Sequence, residues 1–280
     1  MRRFLLAAAI FGAASGAQAA DMPDLPILRG SFTDGLSTSK VNWQGFYIGG
    51  QAGYGASDEN FNGSTSNIID ALTANNVISE MGVAQWNLGL GKQTHQSSGF
   101  GGFAGYNSQW DDVVLGVEAS YLHGKFGGAG MASAGPLVGL LSDDNFHSVA
   151  AASQASISIS DMATFRGRAA YAFGSFLPYV FGGFALGDAD IAQSVTIQDN
   201  FAKTFAAAVA PCSSGLAFCN TYGSSQIQHN RLIYGYTGGL GIDVNLIGGL
   251  FLRAEWEYIR FTSAVDTSVN TVRAGLGYKF

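Results

Sequence analysis

A chain of 280 residues in which 47% are hydrophobic but only 12% are charged is unbalanced for a water-facing globule, where about a quarter of residues usually carry charge. Glycine occurs 39 times and proline only 5 times, which excludes a collagen-like or proline-rich disordered chain. Lysine and arginine total 14 against 20 acids, and a net charge of −6 offers no basic footprint, so nucleic acid is excluded as a partner.

In chain order, residues 1–19 read MRRFLLAAAIFGAASGAQA: Arg2 and Arg3, an apolar stretch, then small residues ending at Ala17-Gln18-Ala19. That is the layout of a secretory signal peptide cleaved after Ala19. The apolar stretch falls short of the roughly 20 residues that a helical span needs. Residues 20–42 are then expected as a periplasmic N-terminal segment and residues 43–280 as one domain. No later apolar run is long enough for a membrane helix. Export, low charge and no hydrophobic helix point together to a closed β-barrel, whose strands need only about 9 to 11 residues to cross a bilayer.

Period-two alternation bounded by turn residues predicts eight strands, at 45–56, 99–109, 113–124, 157–173, 177–190, 228–243, 249–262 and 268–280. Short connections at 110–112, 174–176 and 244–248 alternate with long ones at 57–98, 125–156 and 191–227, and a short last one lies near 263–267. The expected fold is therefore all-β: an eight-stranded antiparallel transmembrane barrel with short periplasmic turns and long extracellular loops. Both chain ends fall on the periplasmic side, where Trp43 and Trp110 are expected to share an interfacial aromatic girdle. Apolar residues at 68–83 and 201–209 predict short helices or hairpins above the membrane, and these loops are the expected interaction surface.

Charges within the strands share one face. Glu118, Arg166, Arg168, Arg253, Glu255, Glu257 and Arg273 each alternate with apolar or small neighbours. Turning the four arginines to lipid would cost roughly 2 to 4 kcal/mol each near the midplane, comparable in sum to a typical net stability of about 5 to 15 kcal/mol. They are expected inside, as a paired network that plugs a lumen which eight strands leave only wide enough for side chains. Glycines of the same parity, such as Gly235, Gly239, Gly241, Gly275 and Gly277, make room for them. Arg260 instead continues the outward series of Trp256 and Tyr258, which makes it a candidate for contact with a lipopolysaccharide phosphate or for snorkelling into water.

The two cysteines, Cys212 and Cys219, lie close together in the third long loop, and an exported context favours a disulfide between them. His95, His123, His147 and His229 form no ligand motif, so no metal or other cofactor is expected. His147 and Ser148 lie near Asp143 and Asp144 and can be drawn as a hydrolytic triad, but no nucleophile-elbow motif accompanies them and no catalytic residue is assigned.

The junction AQA-ADMP, the stretch WQGFYIGGQAGYG at 43–55, GGFAGYNSQW at 101–110 and the terminal VRAGLGYKF resemble the eight-stranded porin-family outer-membrane proteins of alphaproteobacteria. These include rhizobial and brucella-type major or immunogenic proteins, related in fold to OmpA- and opacity-type barrels. The resemblance covers residues 43–280 through the strands and not the long loops. It implies an outer-membrane location among lipid and lipopolysaccharide. It also implies that Tyr278 and Phe280 form the signal read by the barrel-assembly machinery. Members of the family are mostly structural or surface-interaction proteins. The expected function is a structural, plugged barrel that supports the envelope and presents loops to a host or environmental ligand. The alternatives are a small-solute porin and an adhesin or haemin-binding surface protein, with a lipid-modifying enzyme a remote third.

Overall fold

The computed structural model describes residues 41–86, 88–262 and 265–280. The signal peptide expected at 1–19 and all but the last two residues of the segment expected at 20–42 lie outside the described residues. Eight strands, β1 (Gly45–Asn60), β2 (Lys92–Trp110), β3 (Val113–Leu140), β4 (Phe146–Tyr171), β5 (Phe176–Ala202), β6 (Phe218–Ile247), β7 (Leu250–Phe261) and β8 (Asp266–Lys279), each pair antiparallel with their sequence neighbours. β8 then pairs with β1 and closes the barrel. Closure matters because an open sheet edge in lipid would leave backbone N–H and C=O groups unpaired. No described helix is long and apolar enough to cross a membrane.

Alternation in the sequence becomes inside and outside of the barrel. On β7, Leu250, Leu252 and Trp256 are exposed while Phe251, Arg253, Glu255 and Glu257 are buried. The outward face is apolar over a limited height: from Val113 to Tyr121 on β3, from Phe176 to Leu186 on β5 and from Leu250 to Tyr258 on β7. Beyond that height the outward positions become polar, at His123, Asp161, Asp188 and Arg260. About ten residues rising about 3.3 Å each at a tilt of about 40° cover about 25 Å, the height of an outer-membrane apolar band.

Four strands do not stop at that boundary, which corrects two of the expected loops. Residues 125–156 are not a loop but the continuation of β3 and β4, joined by a tight turn at 141–145. Residues 191–227 likewise continue β5 and β6, with a short helix α1 of this hairpin tip (Phe205–Ala208) and a 3-10 turn (Cys212–Ser214) at the end. The physical reason is that the alternation persists in small residues: Val149, Ala151, Ser153, Ala155, Ile157 and Ile159 are all buried. Their intervening residues are alanine, serine and glutamine, so low hydrophobicity masked an unbroken strand.

The remaining long connection is partly strand as well, since β1 runs to Asn60 and β2 starts at Lys92. Between them a helix (Ser66–Thr73) and two 3-10 turns (Val77–Met81 and Val83–Gln85) account for the apolar stretch at 68–83. Ile68, Ile69, Ile78, Val83 and Leu88 bury themselves against Val149, Ala151, Val195 and Ile197 of the protruding sheet.

One aromatic expectation fails. Trp110 is exposed on the outer face, but Trp43 is only 2% exposed and packs edge-on against Phe251 at 6.2 Å between centroids. The chain enters across the mouth of the barrel before β1 begins. At Gly45, φ is +130°, and the carbonyl of Phe280 occupies the place a Cβ would need. The Gln109 side chain accepts the Trp43 backbone N–H at 2.7 Å, which fixes the indole over the lumen.

Candidate functional site

The lumen is built in storeys. Nearest the chain ends lies an aromatic layer of Trp43, Tyr47, Phe103, Tyr179, Phe181 and Phe251. Farther in are eight buried ionic side chains: Glu118, Arg166, Arg168, Asp243, Arg253, Glu255, Glu257 and Arg273. Four are cations and four are anions, so the set is neutral. Above them an apolar layer includes Leu122, Phe126, Ile157, Ile159, Met162, Ile191, Ile233, Ile259, Phe261 and Val269.

Cross-strand register seeds the ionic layer. Glu118 lies opposite Arg166, Asp243 opposite Arg253, and Glu255 opposite Arg273. From these seeds the guanidinium groups reach across the lumen. Arg166 donates from Nε to Glu118 Oε1 at 3.0 Å and spans to β7, where Nη1 and Nη2 each reach a Glu255 oxygen at 2.7 Å. Its Nη1 also reaches Glu257 at 3.2 Å. Arg253 chelates Asp243 through Nε at 2.8 Å and Nη2 at 3.0 Å, and its Nη1 donates to Glu118 Oε2 at 2.8 Å. Arg168 bridges the same two acids, at 2.8 Å to Asp243 and 3.3 Å to Glu118. Arg273 pairs with Glu257 and donates from Nε to Thr271 at 3.1 Å. Tyr47, Tyr179 and Thr237 donate their hydroxyls to Glu118, Glu255 and Glu257 at 2.7, 2.9 and 2.7 Å.

The aromatic layer supports the cations from below. The Arg253 guanidinium carbon lies 3.8 Å from the Phe103 ring centroid, that of Arg168 3.9 Å from Tyr179 and that of Arg166 4.1 Å from Phe181. Inward glycines make this layer possible. A Cβ on Gly239 would collide with the Phe181 ring, one on Gly241 with Tyr179, and one on Gly277 with Phe251. The space that glycine leaves is thus taken by neighbouring rings, and the rings carry the arginines.

All seven charged residues singled out from sequence are brought together here. Asp243 is the member that sequence reasoning missed, although it shares the parity of Gly235, Gly239 and Gly241 at the end of the same predicted strand. Tyr47 and Tyr179 were also missed. Their ring placement depends on glycine seats on other strands, Gly105 for Tyr47 and Gly241 for Tyr179.

The other singled-out residues lie elsewhere. Tyr278 and Phe280 are both exposed on the outer face with their rings edge to face at 5.2 Å. Cys212 and Cys219 form a disulfide at the tip of the β5–β6 hairpin. Arg260 points outward and is held by Asp266 through Nε at 3.2 Å and Nη2 at 2.7 Å. His147 is buried, with Nδ1 2.8 Å from Asp199 and Nε2 3.0 Å from Asp143, and its ring stacks on Phe201. Both nitrogens face carboxylates, so His147 offers Ser148 no base and the drawn triad is not formed.

Residues 4–280 match the family model described as outer membrane protein beta-barrel domain. The chain belongs to that family. As a member it resides in the outer membrane, among lipid and lipopolysaccharide. No curated protein matches it. Among solved structures, the attachment invasion locus protein Ail of Yersinia pestis is similar at 10% identity and a TM-score of 0.32, over 84% of this chain and 100% of that one. Neisserial surface protein A is similar at 12% identity and a TM-score of 0.32, over 84% and 97%. The N-terminal barrel domain of Pseudomonas aeruginosa OprF is similar at 13% identity and a TM-score of 0.25, over 82% and 99%. Similarity at this level carries no functional inference.

Proposed function

We propose that this protein is a sealed, non-catalytic outer-membrane barrel that supports the envelope and holds a protruding β-sheet at the cell surface. The observation that carries this reading is the stacking of a neutral ionic layer, in which every charge has an opposite partner, beneath an apolar one. A hydrated ion or solute would have to break both. Breaking one member from a buried pair costs about 3–5 kcal/mol, and the apolar layer offers a passing ion no hydrogen bond in return. Purified protein in planar bilayers is expected to show no channels. Reproducible conductance steps from wild-type protein would favour the small-solute porin instead.

In this reading residues 1–19 are the cleaved signal, residues 20–42 lie in the periplasm, and Tyr278 and Phe280 serve the barrel-assembly machinery during insertion. The protruding sheet favours surface binding as a second role, that of an adhesin or haemin-binding protein. Arg260 is already neutralised by Asp266, and the pair is exposed at the rim. Arg260→Ala is therefore expected to leave association with lipopolysaccharide vesicles unchanged, and a clear loss of binding would assign it to a lipopolysaccharide phosphate.

A further inference from the structure

The hairpin of β5 and β6 ends in a tip where large apolar side chains stand exposed. Phe205, Val209, Leu216 and Phe218 are 56%, 47%, 64% and 73% exposed. From Thr204 to Cys219 the tip reads TFAAAVAPCSSGLAFC, with no Lys, Arg, His, Asp or Glu. Apolar residues scattered singly over a surface need no explanation, but four gathered on one uncharged tip do.

The tip also needs little from water. The N–H groups of residues 207–210 donate to Thr204, Phe205 and Ala207, and those of 214–216 donate to Pro211, Cys212 and Ser214. Pro211 has no N–H to satisfy, the Ser214 hydroxyl donates back to the Pro211 carbonyl at 2.7 Å, and the disulfide removes both thiols. A segment can leave water for an apolar medium only where its polar groups already have partners. The exposed rings are held from behind as well. Phe218 stacks on Phe201 at 5.5 Å between centroids, Phe201 stacks on the buried His147 at 5.2 Å, and Phe205 meets Phe146 edge-on at 6.1 Å. Their placement is set in advance, so little side-chain freedom is left to lose on binding.

We propose that this tip inserts into the interfacial region of an uncharged phospholipid bilayer, that of a second membrane facing the cell surface. The tip leaves few backbone donors on which a peptide could register, whereas a lipid interface accepts apolar side chains without directional bonds. At its base, Asp143 and Asp144 outnumber Lys203, whose Nζ donates to the Asp144 carbonyl at 3.3 Å. That excess of acid disfavours an anionic surface and leaves a zwitterionic one. The protein's own membrane is out of reach. Roughly fifteen residues separate Asp188, at the edge of the apolar band, from Lys203, which is about 40 Å at about 3.3 Å per residue and a tilt of about 40°.

The position outside the cell rests on the surface-binding role given under Proposed function, whereas affinity for lipid is a property of the tip alone. Full-length protein in nanodiscs is mixed with phosphatidylcholine vesicles and floated on a density gradient, with empty nanodiscs as the baseline. Wild-type protein is expected to float with the vesicles. Leu216→Ser is expected to weaken partitioning about tenfold, and Phe205→Ser combined with Leu216→Ser to bring it to the baseline, with the barrel intact by gel mobility. Leu216→Trp is expected to be quenched by brominated phosphatidylcholine in the vesicles, beyond the quenching of the native tryptophans in wild-type protein. No flotation of the wild type, Leu216→Ser partitioning like the wild type, an unquenched Leu216→Trp, or flotation only with anionic vesicles overturns the proposal. Clustering of loaded nanodiscs without vesicles, seen by light scattering and lost in Leu216→Ser, overturns it in favour of a second copy. Labelling of Lys203 on intact cells by a membrane-impermeant amine reagent, read by peptide mass, reports the position alone. Failure there sinks the outside position, and flotation of the purified protein still decides the affinity for lipid.

Discussion

Glu118 accepts from Arg166, Arg168, Arg253 and Tyr47, so one carboxylate holds together side chains from four strands. Glu118→Gln keeps the shape but leaves three buried guanidinium groups short of an anion. The expected loss is about 3–5 kcal/mol, read as a lower midpoint in urea unfolding of the barrel in lipid vesicles. A loss below about 1 kcal/mol would mean that the network redistributes around the change. At this scale the seven charges were legible because lipid forbids them on the other face. Asp243 stood in a readable position at a strand end where a turn was an equal explanation. The aromatic supports were not readable, because a ring above a glycine is a contact between strands that the order of residues along one strand does not encode.

The β3–β4 hairpin ends in the turn at 141–145, where Asp143 and Asp199 flank the buried His147. The Asn145 side chain and His147 lower the Asp143 carboxyl to about 2, against an ordinary value of 3.8. Burial pushes the Asp199 carboxyl up, opposed by its bond to His147. A carboxyl lowered in the fold stabilises above its unfolded value, and that contribution fades as pH falls through the folded value. Amide exchange in the turn, corrected for its intrinsic rate, is therefore expected to be constant near neutral pH and to accelerate between about pH 4 and pH 2. Asp143→Asn should remove most of that acceleration, and a flat profile in the native protein would dissociate Asp143 from the turn. The length of these hairpins is the element-scale feature that sequence reading underestimated. Alanine and serine at alternate positions suit a half-covered strand and a loop equally, and only the cover supplied by residues 61–91 makes the difference.

For the whole molecule, the proposed seal has two layers, ionic and apolar, which occupy different heights in the barrel. Glu118→Gln is thus expected to weaken the barrel and yet remain silent in planar bilayers, since Phe126, Ile259 and Phe261 still close the lumen above it. Channels in that variant but not in the wild type would place the seal in the ionic layer alone. The division between membrane barrel and protruding sheet is also a property of the whole. The outward face changes from apolar to polar at one height on several strands while the backbone continues unbroken through it.

Strand number, antiparallel order and the lumen charges were determined by the sequence by itself. Each follows from period-two alternation and from the cost of a charge in lipid, which act within one strand at a time. Tertiary structure alone decided how far β3 to β6 run past the membrane, that Trp43 covers the lumen and that Asp266 holds Arg260. Those outcomes depend on which neighbour lies across the sheet or over it, and that is set only when the barrel closes and the segment at 61–91 folds onto the sheet.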